Sequence, residues 1–409
     1  MNKYTILILG LCWHLSVHAQ SVDHFIDLAI KHNPGLEALR LGYESAKEQS
    51  NQVGDYPDPK VSLGIGILPV ETRLGAQRFK VGVSQAIPWK GLLDARKDTK
   101  FLQAQSLSYK DDVKEIDIAY AIRTAYNSLV FIEESNEVIE RKIDLLDVLS
   151  EIAQSTVRSG KGKLSNVLLV QRNKDAMESD LMLLEKKKEG PTIMINRWTG
   201  RPLDQSIEMS ESIEVSEDLE QYIDFAQKDH PEFKILESQI AASEKSVELT
   251  FLEAKPKVGI GLDYAWIDGR NDVPNLSGNG RDILMPMGSI SIPLHKDRFE
   301  AKRLEEKIKQ ESLNALKEEK QEFYLSEIAA AKSQRELAEL EIKKVEQLKS
   351  ITKETLELMR SEYSAEGTRF EELLRLEMEL IDYDMLVAMS RYNQLNSAAT
   401  LLKFQPQQK

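Results

Sequence analysis

Apolar positions along this chain recur with two periods, and the change from one to the other marks out its elements. From Trp89 to Gly190 there is no proline, and the only glycines are Gly91, Gly160, Gly162 and Gly190; from Leu294 to Phe404 there is no proline and one glycine, Gly367. Helix interiors exclude both residue types, so each stretch predicts two helices hinged at its internal glycine. Along the first long arm apolar residues return at helical spacing: Val113, Ile116, Tyr120, Tyr126, Leu129, Ile132, Ile139, Ile143, Leu146, Leu149 and Ala153. The second arm shows Leu337, Leu340, Val345, Leu348 and Ile351. Each set is a narrow seam on a charged rod, as in a coiled coil. At about 1.5 Å per residue, an arm of roughly 70 residues is about 100 Å long, more than its short return helix can cover.

Between the helical stretches the period falls to two. Val61, Leu63, Ile65 and Ile67 alternate with Ser62, Gly64 and Gly66; Phe79, Val81 and Val83 alternate with Lys80, Gly82 and Ser84. Val258, Ile260, Leu262 and Tyr264 alternate with Gly259, Gly261 and Asp263. A fourth segment, Ile283 to Ile292, changes phase at Gly288-Ser289, which predicts a bulge there. The expected strand pairs are about 60–68 with 78–87 and about 257–266 with 283–292, leaving 67–77 and 268–281 as loops. One apolar and one small or polar face suits a transmembrane strand, and equally a soluble sheet. Tyr56, Phe79, Trp89, Tyr264 and Trp266 stand near the segment ends, where a membrane interface favours aromatic rings. Four strands cannot close a barrel alone, and an open edge in hydrocarbon leaves backbone groups unsatisfied. Either the sheet is soluble or identical chains pool their strands.

The order of elements occurs twice. Pro88 to Gly162 and Pro293 to Gly367 span the same interval, and Asp23 to Leu36 (DHFIDLAIKHNPGL) resembles Glu220 to Phe233 (EQYIDFAQKDHPEF). This predicts two structural repeats, 20–200 and 217–405, with hairpin tips near 160–163 and 364–369 and a polar linker over 201–216. The predicted class is mainly α, with long antiparallel coiled-coil helices and a small β-sheet.

Met1 to Ala19 reads as a secretory leader: Lys3, an apolar core from Ile6 to Leu15, and Val17-His18-Ala19 before the cut. Cys12, the only cysteine, lies inside it, which excludes disulfide and thiol chemistry from the exported chain. No later segment approaches the ~20 apolar residues of a spanning helix, so any membrane insertion is by strands. The chain carries 67 acidic against 54 basic residues, a net charge of −13, which argues against nucleic acid. No nucleophile-base constellation, phosphate loop, HExxH or paired-cysteine spacing occurs, so neither an enzyme nor a cofactor is expected. His24, His32, His230 and His295 are scattered; Met285 and Met287 share a strand face, where barrel packing explains them better than soft-metal binding.

The Asn33-Pro34 and His230-Pro231 helix ends, the strand pairs running into Pro88 and Pro293, and Thr199-Gly200-Arg201-Pro202-Leu203 stand in one order. Glycine hairpins then lead into Ser165-Asn166-Val167-Leu168 and Glu371-Glu372-Leu373-Leu374. In this arrangement the chain resembles the TolC-like outer-membrane efflux protein family, over essentially its whole exported length. The resemblance implies a homotrimer, four strands per chain closing a twelve-stranded outer-membrane barrel, and helices forming a hollow α-barrel in the periplasm. It also implies a periplasmic adaptor and an inner-membrane transporter, of RND type, as partners in a tripartite efflux system. The segment Asp58-Pro59-Lys60 through Arg73 to Arg96-Lys97 looks most like the branch serving heavy-metal and cation efflux pumps. Drug or type I protein secretion channels share the fold. A different class, a periplasmic coiled-coil scaffold or adaptor, would show one hairpin and a lipoyl-like module.

The resemblance assigns a pore constriction to Tyr363, Glu366, Arg369 and Glu372, since Tyr363 followed by Gly367-Thr368-Arg369 is similar to the family's periplasmic gate turn. This chain departs from the family pattern in the extra Glu366 and in Arg375, which stands where a second acid would fit. Adaptor contact falls to the tips at Gly162, Lys163, Leu164, Gly367 and Thr368, and Pro88 and Pro293 mark the strand-to-helix junctions. The first tip is basic, with Arg158, Lys161 and Lys163.

Overall fold

The computed structural model describes residues 21–209, 219–366 and 369–405. The expected leader therefore lies outside the described residues, as do most of the linker and the tip residues Gly367 and Thr368. The chain runs α1 (Val22–His32), α2 (Pro34–Asn51), β1 (Lys60–Thr72), β2 (Gly75–Ile87), α3 (Leu92–Arg158) and α4 (Leu164–Thr199). It continues as α5 (Leu219–Asp224), α6 (Pro231–Glu253), β3 (Lys257–Asp268), β4 (Ile283–Ser291), α7 (Asp297–Glu366) and α8 (Phe370–Leu401). The fold is mostly helical with one small antiparallel sheet. No described helix is long and apolar enough to cross a membrane.

The chain forms two compact units, and each half of the sequence contributes to both. One combines the chain up to Asn33 with Glu115–Ile223 and the chain from Ser326. Here the seam expected on α3 is the core: Tyr126, Leu129, Ile132, Ile139, Leu146, Leu149 and Ala153 are all buried. α1 adds Phe25, whose ring lies 6.3 Å from that of Tyr126. The seam expected on α7 behaves differently. Val345 is buried, but Leu340 and Ile351 are 65% and 62% exposed, and Leu337 and Leu348 are exposed with them. The buried face of α7 carries Ile328, Ala331 and Ala338 instead. The larger leucines turn outward as an exposed stripe that Leu358 extends.

The other unit combines Pro34–Lys114 with Asp224–Leu325 and holds the sheet, ordered β1-β2-β3-β4. β1 and β2 run further than the alternation predicts, so the loop expected over 67–77 shrinks to Arg73 and Leu74. The bulge expected at Gly288-Ser289 is absent: β3 and β4 pair in one register from Lys257↔Ser291 to Ala265↔Ile283. Met285 and Met287 simply occupy the face that Ser289 and Ser291 continue, so the phase change is one of side-chain size. The irregularities lie instead between Ile65 and Val70 on β1 and between Gln77 and Phe79 on β2.

The large apolar side chains of this sheet lie on an exposed face. On β3, Gly259, Asp263, Ala265 and Ile267 are buried while Val258, Ile260, Leu262, Tyr264 and Trp266 are exposed. On β1, Leu63 and Ile65 are 70% and 76% exposed. The small face is built around a charge pair, Lys80 Nζ to Asp263 Oδ2 at 2.5 Å. Gly82 makes this possible, since a β-carbon there would collide with the Asp263 carboxylate and the Ser62 hydroxyl.

In the same unit Glu232 opens α6 and accepts hydrogen bonds from Tyr324, on α7, and from Lys320 (2.9 Å). The His230 and Phe233 rings pack tilted against Tyr324, with centroids at 4.6 and 5.8 Å. Burial by itself would raise the Glu232 carboxyl, but these hydrogen bonds and the Lys320 charge outweigh it and hold the group below the ordinary carboxylate range. A depressed carboxylate stabilises the fold above its unfolded pKa, about 4.3, and loses that contribution as pH falls through the folded value. Glu232→Gln is therefore expected to lower Tm at pH 7 and to flatten the fall of Tm between about pH 5 and 3. Circular dichroism melts across that range check this; an unchanged acid slope would contradict it.

Candidate functional site

At the first hairpin tip α3 ends at Arg158 and the chain turns through Gly160, whose φ of 72° suits glycine. Gly162 donates to Thr156 O at 2.9 Å, and a β-carbon there would strike Thr156 and Val157. Lys163 is the residue before α4 and makes no side-chain cap. Beyond it Leu164 and Leu168, one helical turn apart, are each 64% exposed. The two form an exposed apolar pair on a basic tip; Leu168 stands in the Ser165–Leu168 motif but not among the contact residues expected from the sequence.

At the second tip Tyr363 and Glu366 belong to the last turn of α7. Arg369 has left-handed backbone (φ 65°) and precedes α8; its guanidinium lies 3.5 Å from Glu362, both side chains being exposed. Exposed pairs of this kind contribute below ~1 kcal/mol. Glu372 sits exposed in the first turn of α8, where a negative charge also suits the helix dipole. The structure thus brings Tyr363, Glu366, Arg369 and Glu372 to one tip.

The two tips share one core. Phe370 and Leu374 of α8 pack with Leu146, Leu149 and Ala153 of α3 and Val170 of α4. Below it, buried Glu377 accepts a hydrogen bond from Arg360 Nε at 2.8 Å. Lys142 reaches Asp382 at 2.7 Å, and Asp384 takes both Lys349 and Arg141, the latter at 3.5 Å. Glu134, opposite Arg391 at 3.6 Å, is raised by burial, against the pull of that arginine. Sequence reasoning missed this ladder. Its one legible signal is Glu377 itself, which continues the spacing of Phe370, Leu373 and Leu374, the buried stripe of α8.

In the sheet-bearing unit Pro88 directly follows β2, and Pro293 lies between β4 and α7. Trp89 Nε1 donates to Pro256 O at 2.6 Å and so ties the two halves, while Gln85 Nε2 donates to Pro57 O within the first, also at 2.6 Å. Among the described residues no group of three or more His, Cys, Asp or Glu could hold a metal ion.

No protein-family model and no curated protein sequence matches the chain. Solved structures do. The outer-membrane channel OprN is 14% identical with a TM-score of 0.75, covering 94% of this chain and 89% of that chain. CusC, described through the conformational changes accompanying folding and transmembrane channel formation, is 14% identical with a TM-score of 0.73, covering 99% of each chain. The outer membrane protein VceC of Vibrio cholerae is 15% identical with a TM-score of 0.72, covering 93% of this chain and 95% of that chain. The chain has the fold of these proteins.

Proposed function

We propose that this chain is the outer-membrane channel of a tripartite efflux system, a passive duct for cargo delivered by an inner-membrane transporter and a periplasmic adaptor. The observation that carries the reading is the sheet's exposed apolar face, set opposite a small face that β3 buries around the Lys80–Asp263 pair. An apolar surface of that extent is stable in hydrocarbon and costly in water. Its edge strands, β1 and β4, leave backbone groups that only further strands can satisfy in lipid. Three copies pooling four strands each would close a twelve-stranded barrel with the charge pair toward its water-filled interior. The stripe of Leu337, Leu340, Leu348, Ile351 and Leu358 on α7 supplies an apolar face for contact between copies.

The element order of the two halves supports an internal structural repeat. In this reading the second tip forms the constriction, with Tyr363, Glu366, Arg369 and Glu372 linking neighbouring copies, while Gly162, Lys163, Leu164, Gly367 and Thr368 meet the adaptor. Leu168 joins that contact by its exposure beside Leu164. Metal cations are the proposed cargo, on the resemblance of the segment around Asp58-Pro59-Lys60.

Membrane fractionation with chemical crosslinking tests the proposal. The expected result is a heat-sensitive trimer in the outer-membrane fraction. A soluble monomer in the periplasmic fraction would overturn it.

A further inference from the structure

Where the sheet gives way to the helices there is a cleft of about 610 Å³ with two kinds of wall. One is apolar, formed by Ile87, Trp89, Leu92 and Val258. The other is cationic: Arg96, Lys255, Lys257, Arg298 and Lys302 line it against a single carboxylate, Glu253. Glu253 is already shared, lying 3.2 Å from Arg96 and 3.4 Å from Lys302. Lys255 sits 5.6 Å from the centre of the Trp89 ring and Arg298 4.5 Å from that of Phe299. Among the described residues Lys255, Lys257 and Arg298 have no carboxylate within 4 Å. So local an excess of positive charge, on a chain of net charge −13, is complementary to an anion.

The apolar wall says which anion. Ile87 and Val258 continue without interruption into the exposed apolar face of the strands, through Ile260 and Leu262 on β3. A ligand filling the cleft therefore has a charged head against the cations and an apolar body along the strands. We propose that the cleft binds the headgroup phosphate of an anionic phospholipid, with the acyl chains lying on the β2–β3 surface. The proposal rests on the membrane reading of the sheet. A free phosphate satisfies the cations but leaves the apolar wall uncovered. Basic groups at a membrane surface each favour anionic lipid by about 1 kcal/mol, and a tryptophan beside them suits the interface.

The test uses the full-length protein purified in neutral detergent, with phosphatidylglycerol and phosphatidylethanolamine as probes read by native mass spectrometry, and vesicle flotation in parallel. The wild type is expected to retain phosphatidylglycerol preferentially. Lys255→Gln/Lys257→Gln/Arg298→Gln is expected to lose that preference by about tenfold or more. Lys255→Arg/Lys257→Arg/Arg298→Lys keeps the charges and is expected to keep the preference. Protein that floats with vesicles but retains both lipids equally would overturn the lipid site while leaving the membrane reading intact. Failure to float would overturn both. Inorganic phosphate that displaces the lipid at equal concentration would show a phosphate site without lipid specificity, and overturn the proposal. A neutral triple variant that changes only the fraction of trimer would mark the cleft as a contact between copies, and overturn it likewise.

Discussion

Leu63→Arg combined with Ile65→Arg is expected to abolish stable insertion of the protein into lipid vesicles. Both side chains lie on the exposed apolar face of β1, and both residues pair with β2, at Val81 and Phe79. An arginine on the lipid face of a transmembrane strand costs about 2–4 kcal/mol near the bilayer midplane. Two in each of three copies sum to about 12–24 kcal/mol per assembly, as large as or larger than the ~5–15 kcal/mol stability of a typical domain. Ser62→Asp, next to Leu63 in sequence but on the opposite face beside Gly82, is expected to leave insertion intact, because that face turns to water in a closed barrel. Vesicle flotation followed by unheated gel electrophoresis reads both variants. Equal insertion of the double variant and the wild type, or equal failure of Ser62→Asp, would mean that the apolar face does not meet lipid.

The second large effect concerns the tips. Phe370→Ala empties the middle of the core formed with Leu146, Leu149, Val170 and Leu374, and a buried Phe→Ala change costs about 3–5 kcal/mol. Since this core packs α8 against both helices of the first hairpin, its loss is expected to free the second tip and bias the duct toward an open state. A bias of 3 kcal/mol is about a hundredfold in population. Cells carrying the variant should become permeable to bulky glycopeptide antibiotics that the wild type excludes. Lys187→Ala, on the exposed face of α4, serves as the surface control. Unaltered exclusion by a Phe370→Ala protein that reaches the membrane would show that closure does not depend on this core.

The elements were legible because their causes are local. The helices follow from the absence of proline and glycine, the strands from alternation, and the first hairpin turn from Gly160 and Gly162. The length of β1 was not legible: Pro69 looks like part of a loop, yet the strand passes through it because pairing lapses between Ile65 and Val70. That gap accommodates a proline, which has no N–H to donate. The absent bulge at Gly288-Ser289 shows the converse, since a change in side-chain size along a strand imitates a slip in register. The α7 stripe misled for a tertiary reason. Which face of a long helix turns inward is decided by the helices it meets, and on α7 that face carries Ile328, Ala331, Ala338 and Val345 rather than Leu337 or Leu340. At the site, the tip residues stand together because the sequence itself makes them neighbours. The pairing of Arg360 with Glu377 and of Asp384 with Arg141 and Lys349 depends on how separate helices align, which periodicity does not encode.

The central claim is that copies of this chain close their strands around a water-filled pore, and single-channel recording tests it most directly. Purified trimer added to a planar lipid bilayer is predicted to give discrete, uniform conductance steps, with Phe370→Ala spending a larger fraction of time open. Trimer that has inserted into the bilayer yet passes no ionic current, in the wild type and in Phe370→Ala alike, would contradict it.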